Sequence, residues 1–488
     1  MKIYLGKKNN DKAYPRKIPM KTGSTTVKSR KTWMKFVIWT TCISGLALVL
    51  IAFLIQQKQT NSAMGFENIF VDESCSFEMV ESIPIGLKFP ANATYLTPLD
   101  KGFTHLLHLA RSRLDVASFY WTMAGQDIGI NDSSAHLGEE MFRLLLSLPS
   151  KSLVFRAISS DVMKTTFSDL ANMTAAGVQV RVLHMHQLTG GVMHSKLWVV
   201  DQQHIFIGSP NMDWRAFTQV KELGIIIYNC SCLARDLQKV FDSYWEIGKG
   251  NSSIPRPWPP RFNTNINRSH PLRLNMNGIP TELYIASSPT QLNGHGRTPD
   301  LSSILSIIGN AQSFINIAIM KYFPSSEFRH HRRFWPLIDD ALRHAAYERQ
   351  VHVQLLVGCW RKTHDILFIF LQSLLALADN STGCNIQVKL FKLPVDEIQK
   401  RIAASRIYHH KFLVTDKSAY IGTSNWSEDY FVSTAGVGLV VNQTKEAAKG
   451  LGLTVQEKLR AVFKRDWGSQ YAHTLGNKSS MRNWCHDL

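Results

Sequence analysis

The chain has 488 residues, of which 44% are hydrophobic, 10% aromatic and 19% charged. That composition excludes a disordered or fibrous protein and suits two ordinary domains or one large duplicated unit. The formal net charge is +18, but residues 1–35 hold eleven Lys/Arg and a single acid, Asp11, so the tail carries +10 of it and leaves only +8 for the rest. Overall basicity is therefore weak evidence for a nucleic-acid partner.

After the basic tail, residues 36–55 carry no charge. As a helix they would span about 30 Å, the thickness of a bilayer core. A cleaved signal peptide has a short basic region, a shorter apolar core and a small-residue cleavage site. Here the basic region is long and Gln56-Gln57-Lys58-Gln59 follows the span, so an uncleaved anchor is expected. The excess of cations before the span places the N-terminus in the cytosol. The expected organisation is a cytosolic tail (1–35), a transmembrane anchor (36–55), a stalk (56–75) and a lumenal remainder, which makes a single-pass type II membrane protein.

Two signals agree with that topology. Glycosylation acceptors occur at Asn92, Asn131, Asn172, Asn229, Asn251, Asn267, Asn380, Asn442 and Asn477, all beyond the span. A tenth, Asn425, lies inside a motif described below and is expected to stay unused. Six cysteines also follow the span: Cys75, Cys230, Cys232, Cys359, Cys384 and Cys485. An even count in an oxidising compartment suits disulfides, in many permitted pairings. Cys230-Ser-Cys232 could be half a metal site, but no second such pair exists at metal spacing; neither a metal site nor a cofactor is expected.

Beyond the stalk the chain reads twice. Apolar-periodic helices at 104–111 and 301–311 each feed a strand, through Ala110-Arg-Ser-Arg-Leu-Asp-Val-Ala and Ala311-Gln-Ser-Phe-Ile-Asn-Ile-Ala. Later come His194-Ser-Lys-Leu-Trp-Val-Val-Asp and His409-His-Lys-Phe-Leu-Val-Thr-Asp, continuing into Ile207-Gly-Ser-Pro-Asn and Ile421-Gly-Thr-Ser-Asn. Apolar runs follow at 223–228 and 437–441, then Val240-Phe241 with Trp245 and Val462-Phe463 with Trp467 in helical patterns. Between the copies, four prolines in six residues mark 251–262 as a linker. The repeats are thus 76–250 and 263–488. Strands alternating with helices predict an α/β fold. Runs such as 197–200 and 224–227, apolar on both faces, predict helix-covered sheets. Two such α/β sandwich repeats about a pseudo-twofold axis would set the two His-x-Lys motifs face to face in one cleft.

In an extended segment, positions i and i+2 share a face. His194 and Lys196 therefore project together, as do His409 and Lys411. Gly208 and Gly422 permit close backbone approach, and Asn211 and Asn425 add amide donors. Two lysines and two amides around two imidazoles make a pocket for a phosphate group. The chemistry that follows is two-step. One neutral imidazole attacks phosphorus, and the other, protonated, gives its proton to the leaving oxygen and later takes one from water. A mildly acidic compartment suits this, since free imidazole titrates near ~6.5. A lone His-x-Lys is ordinary surface charge; the duplication is what points to catalysis. Asp201 and Asp416 begin the turn after each strand and are read as supports, not proton carriers.

With their Asp and Gly-x-x-Asn follow-ups, the two motifs resemble the paired HKD motifs of the phospholipase D superfamily, over nearly all of residues 75–470. Val80-Glu-Ser-Ile-Pro, Asn211-Met-Asp-Trp-Arg, Val220-Lys-Glu-Leu-Gly and Gly422-Thr-Ser-Asn-Trp-Ser are similar to its type II membrane, endolysosomal branch, family members three and four. Asp127-Ile-Gly-Ile-Asn and Trp426-Ser-Glu-Asp-Tyr-Phe lean towards member four. The resemblance implies a metal-independent phosphodiesterase that degrades single-stranded DNA and RNA from the 5′ end. The implied sites are endoplasmic reticulum, Golgi, endosome and lysosome, with the catalytic part lumenal. It also implies the disulfides Cys75–Cys230 and Cys359–Cys485. In the family a carboxylate about twenty-eight residues past the first His holds the imidazole. Glu222 fits, whereas the matching place in the second copy is Ala435 or Gly436. On that basis His194 is expected to be the nucleophile and His409 the proton donor.

The motifs specify a phosphodiester but not which one. Phe328-Arg-His-His-Arg-Arg-Phe-Trp335 mixes cations with aromatics, as single-strand binding requires. Candidate substrate contacts are Arg329, Arg332, Trp335 and, in the first copy, Phe119. The alternative is a phospholipase D or transphosphatidylase acting on glycerophospholipids, to which an anchor gives access. No long apolar stretch adjoins either motif to hold acyl chains. The expected partners are a single-stranded nucleic acid or, in the alternative, a glycerophospholipid; a homodimer is compatible with either.

Overall fold

Short apolar runs bounded by polar turns fold here as strands buried on both faces. Residues 197–200 and 223–227 are fully covered, as strands of a helix-covered sheet must be. The computed structural model describes residues 71–488 apart from 162–165, 251–252, 329–330 and 487–488. The basic tail, the expected anchor at 36–55 and residues 56–70 lie outside the described residues.

The duplication read from the sequence is a duplication of topology. In the first copy the strands run side by side in the order Gln179–Leu183, Val154–Ser160, Arg113–Ala117, Leu197–Val200, His204–Gly208, Leu223–Tyr228 and Val71–Glu81. The first three are parallel and every later neighbour is antiparallel. The second copy repeats order and direction with Ile386–Phe391, His352–Gly358, Phe314–Ile319, Lys411–Thr415, Ala419–Gly422, Gly436–Gln443 and Ile279–Ser288. Val71–Glu81 also pairs in parallel with Leu272–Met276, which seams the two sheets together. Of the residues expected as a stalk, 71–75 belong to a strand instead, because their backbone groups find partners on Leu272–Met276.

Helices Leu99–Leu109 and Asp300–Asn310 fill the places expected at 104–111 and 301–311. Each begins straight after a proline, with Asp100 or Asp300 in its first turn, where a carboxylate meets unpaired amides. Ser231–Ile247 and Val455–Trp467 carry the repeated aromatic pairs; Phe241 stacks on Trp245 at 5.9 Å and Phe463 on Trp467 at 5.4 Å. These two helices and the inner faces of both sheets share one core: Ile205, Leu237 and Phe241 pack in the same cluster as Ile285, Phe412 and Phe463. The outer faces have separate cores, one per copy. The linker is packed as well, with Phe262 buried and Trp258 Nε1 donating to the Gln291 carbonyl. Both disulfides implied by the resemblance are present. Cys75–Cys230 ties the seam strand to the start of Ser231–Ile247, and Cys359–Cys485 ties the sheet to the C-terminal helix.

Asp201 and Asp416 close the helix-to-strand turns. The Asp201 carboxylate accepts from the amides of Arg111, Ser112 and Arg113 and from Ser112 Oγ, all within 2.9 Å. Asp416 accepts from the amides of Gln312 and Ser313 at 3.0 and 3.1 Å. Asp201 lies five steps along the strand from Lys196, roughly 16 Å, too far for proton transfer at the motif. Burial would raise the Asp201 pKa, but Ser112 and the backbone amides outweigh it and hold the carboxyl below its ordinary range. Its stabilisation is present above the unfolded pKa and is lost as pH falls through the lowered folded value. Asp201→Ala is expected to destabilise the fold by about 1–3 kcal/mol near neutral pH, read by thermal or denaturant unfolding. Catalytic turnover per folded molecule should stay within a few-fold of wild type. A loss of more than a hundredfold with an unchanged melting temperature would show that Asp201 takes part in the chemistry.

Candidate active site

Both His-x-Lys segments are extended stretches entering a central strand, Leu197–Val200 in one copy and Lys411–Thr415 in the other. In each, the Lys Nζ turns back to donate to the carbonyl of its own histidine, Lys196 to His194 and Lys411 to His409 at 2.9 Å. His194, Lys196, Asn211, Glu222, His409, Lys411 and Asn425 are all buried. Gly208 is required by the close approach of the neighbouring strand: a Cβ there would lie 2.6 Å from the Cα of its cross-strand partner Gly224.

Each histidine is held by the opposite copy. The His194 amide donates to the Ala435 carbonyl and its Nδ1 to the Thr423 carbonyl, at 2.9 and 2.8 Å. The His409 amide donates to the Lys221 carbonyl at 2.9 Å, and its Nδ1 lies 2.8 and 2.9 Å from the two Glu222 oxygens. This corrects the expectation that Glu222 holds His194. Lys221 bridges to Tyr408 of the second copy, so the residue after it reaches the second copy's histidine. Nor is Glu222 a surface partner of Lys221 or Arg215. Lys221 pairs with Glu81 and Asp466, and Arg215 with Asp213. Ser209 Oγ donates to Glu222 Oε2 and fixes the carboxylate.

The mirror position is Gly436, since Gly208 pairs with Gly224 as Gly422 does with Gly438. A Cβ on Gly436 would lie 2.3 Å from Ser424 Oγ and 2.9 Å from Ser288 Oγ. Gly436 itself brings no side chain, so one imidazole has an anionic partner and the other a carbonyl.

The charge balance follows from burial. Burial pushes His194 well below its ordinary value, and Lys196, Lys411 and His409 push the same way, opposed by the Thr423 carbonyl. Burial takes His409 down to about 4 even though Glu222 opposes it. Burial lowers Lys411 to about 7 and Lys196 well below the usual lysine range. An acidic compartment alone therefore does not protonate these imidazoles, contrary to the expectation from free imidazole. A phosphate among these groups would raise every one of their pKa values.

Aromatic rings flank His194. Phe119 lies 4.9 Å away and also under Lys196 Nζ, and Tyr430 meets the ring edge-on at 5.0 Å. Asn425 Nδ2 donates to the Tyr430 hydroxyl at 3.0 Å, and the exposed Phe328 packs 5.4 Å from Tyr430. Of the candidate substrate contacts, Phe119 is at the site and Arg332 is exposed nearby in sequence to Phe328. Trp335 is not a platform for bases: it is buried and stacks on Phe431 at 5.7 Å, in the second copy's outer core. Arg329 lies outside the described residues. Sequence reasoning missed Tyr430; its signal was the spacing, five residues past Asn425 on the short helix Glu428–Val432.

Of the glycosylation acceptors, Asn92, Asn131, Asn172, Asn229, Asn380 and Asn477 are exposed. Asn267 and Asn442 are half-buried, Asn425 is buried, and Asn251 lies outside the described residues.

Comparison with known proteins places this geometry. The family model described as "PLD3/4, PLD-like domain" matches residues 91–396. The chain is 44% identical over 445 residues to the 5′-3′ exonuclease PLD3 of Xenopus laevis, covering 91% of this chain and 90% of that one. It is 48% identical over 405 residues to the 5′-3′ exonuclease PLD4 of Mus musculus, covering 83% and 80%. It is 47% identical over 418 residues to the 5′-3′ exonuclease PLD3 of Homo sapiens, covering 85% and 84%.

The depressed histidines make a stability prediction with a definite sign. Below its ordinary pKa of ~6.5 the unfolded chain protonates His194, while the folded site keeps it neutral. Stability is therefore full above that value and falls as pH drops below it. His194→Asn removes the proton-binding group from both states. Its melting temperature relative to wild type should accordingly be higher at pH ~5 than at pH ~7.5. An equal difference at the two pH values would mean that His194 is not held neutral.

Proposed function

The chain belongs to the PLD3/4 family of phospholipase D-like proteins, and we propose that it is a 5′-to-3′ exonuclease that degrades single-stranded DNA and RNA through a phosphohistidine intermediate. The observation that carries the mechanism is the lone carboxylate on His409. Glu222 accepts the Nδ1 proton of His409, which leaves the Nε2 lone pair for phosphorus and stabilises the positive charge that attack creates. His409 is then the nucleophile, and His194, charged once a phosphate is bound, is the acid. This exchanges the roles expected from sequence, because the carboxylate that carried the argument is on the other ring.

In the first step His409 Nε2 bonds to phosphorus and the leaving oxygen departs with the His194 proton. In the second, His194 takes a proton from water, whose oxygen displaces His409. Lys196, Lys411 and the two asparagine amides hold the non-bridging oxygens. The nucleic-acid reading is supported by the relatives' exonuclease names. It is also supported by the aromatic flank of Phe119, Tyr430 and Phe328, on which bases can stack. We place this enzyme in the endolysosomal lumen behind a type II anchor, a reading that exposed glycosylation acceptors and two disulfides favour.

The test offers full-length protein in detergent a 5′-hydroxyl single-stranded oligonucleotide labelled at its 3′ end, at acidic pH with EDTA. A descending ladder is expected, abolished by His194→Ala and by His409→Ala. Quenching in alkaline denaturant, which preserves the P–N bond, should trap the nucleotidyl group on His409; a labelled peptide containing His194 instead would reverse the assignment. Glu222→Gln should lower kcat by about a hundredfold or more with KM little changed. An untouched oligonucleotide beside rapid hydrolysis of phosphatidylglycerol would overturn the exonuclease reading.

A further inference from the structure

Away from the two motifs, one small cavity has a lining that is cationic on three sides. Its volume is about 190 Å³, and Arg361, Lys400 and Arg406 line it with Gln399, Ser405 and His486. That is below the ~300–1,000 Å³ typical of pockets for drug-sized ligands, so it suits a small ion. Arg406 is only 2% exposed. Its Nε donates to the Pro394 carbonyl at 2.8 Å and its Nη1 to Gln219 Oε1 at 3.3 Å, but Nη2 is buried with no hydrogen-bond partner. A buried guanidinium donor left unpaired is costly. Burial pulls the Arg406 pKa down to about 10, opposed by Asp396.

Among the described residues no acid forms an ion pair with Arg406 or Arg361, and of the three cations Lys400 alone has one. Asp396 Oδ1 accepts from the amides of Ile398 and Gln399. Glu397, 80% exposed, pairs with Lys400 Nζ at 2.6 Å. Arg361 Nη1 donates to the Lys400 carbonyl at 3.0 Å, and His486 Nε2 donates to the Thr363 carbonyl at 2.9 Å. We propose that this cavity is a second oxyanion site, which takes a phosphate-type anion on the Arg406 guanidinium with Arg361 and Lys400 closing around it. Arginine suits the task, since its planar donors match the edge of a tetrahedral oxyanion. The site is built into the ladder that carries the catalytic pair. The Arg406 amide donates to the Gln219 carbonyl, Lys221 to Ile407 and His409 to Lys221, so the anion would sit three residues from His409 on the same backbone.

The experiment is calorimetric titration of the full-length protein with inorganic phosphate, in wild type, Arg361→Gln/Lys400→Gln and Lys411→Met. Two phosphates per wild-type chain are expected. The Arg361→Gln/Lys400→Gln protein, whose changes lie outside the hydrogen-bonded core, should bind one normally and the other at least tenfold more weakly. Lys411→Met should weaken the opposite one. Repeating the titration with a nucleoside monophosphate distinguishes the sources. Binding at this site marks a terminal phosphate and its absence marks the free anion, and either supports an oxyanion site. One phosphate per wild-type chain, abolished by Lys411→Met, would sink the proposal. So would two that Arg361→Gln/Lys400→Gln leaves unchanged. Failure of the oligonucleotide assay would leave this result intact, because it reads binding alone.

Discussion

The active site depends on a crossing of backbone between the two copies. His194 hangs from the Ala435 carbonyl and His409 from the Lys221 carbonyl, so each catalytic ring is positioned by the half of the chain to which it does not belong. Met193 bridges to Ala435 and Tyr408 to Lys221 in parallel, which makes the crossing reciprocal between the two copies. Neither copy alone carries a complete site. The duplication places two weak motifs opposite each other on ends of strands whose register is already set by the buried sheet.

Beneath the crossing lies a buried ion network that fixes its geometry. Lys221 Nζ lies 3.3 Å from Glu81 and 3.5 Å from Asp466. Arg465 clamps both Glu81 oxygens at 2.6 and 2.7 Å and reaches Asp466 at 2.9 Å, and the Tyr408 hydroxyl donates to Asp466 at 3.2 Å. Two cations meet two anions, so the group is balanced. Such a group gains little net stability over a well-packed apolar core, yet losing one member strands a buried charge. What it contributes is placement: Lys221 adjoins Glu222 and Tyr408 adjoins His409, so the network clamps both ends of the Glu222–His409 pair.

The fold was largely legible because periodicity and repetition are local properties. The runs at 223–228 and 437–441, the helices before 113 and 314, and the paired Phe-x3-Trp landmarks are elements at nearly the expected bounds. The residues that converge on the candidate site were legible for the same reason. The partner of Glu222 was not, because residue spacing says which face a side chain occupies but not which copy that face meets. Trp335 misled in a related way. An aromatic in a basic segment reads as a stacking platform, yet Trp335 turns inward onto Phe431 while Phe328 stays at the surface. Tyr430 was hidden because nothing in the first copy matches it; the equivalent residue after Asn211 is Ala216.

That asymmetry bears on how a symmetric duplication performs an asymmetric reaction. Two-step transfer needs one ring that attacks and one that carries a proton, and an exact dimer of repeats would offer two equal rings. Gly436 breaks the equality because it stands where the first copy has Glu222 and brings no carboxylate to His194. Tyr430 breaks it again by orienting Asn425 and bordering His194. Burial favours the neutral form of both imidazoles, and an entering anion favours the charged form. In the proposed mechanism the charge of the substrate itself completes the acid, which ties proton delivery to the presence of a phosphodiester.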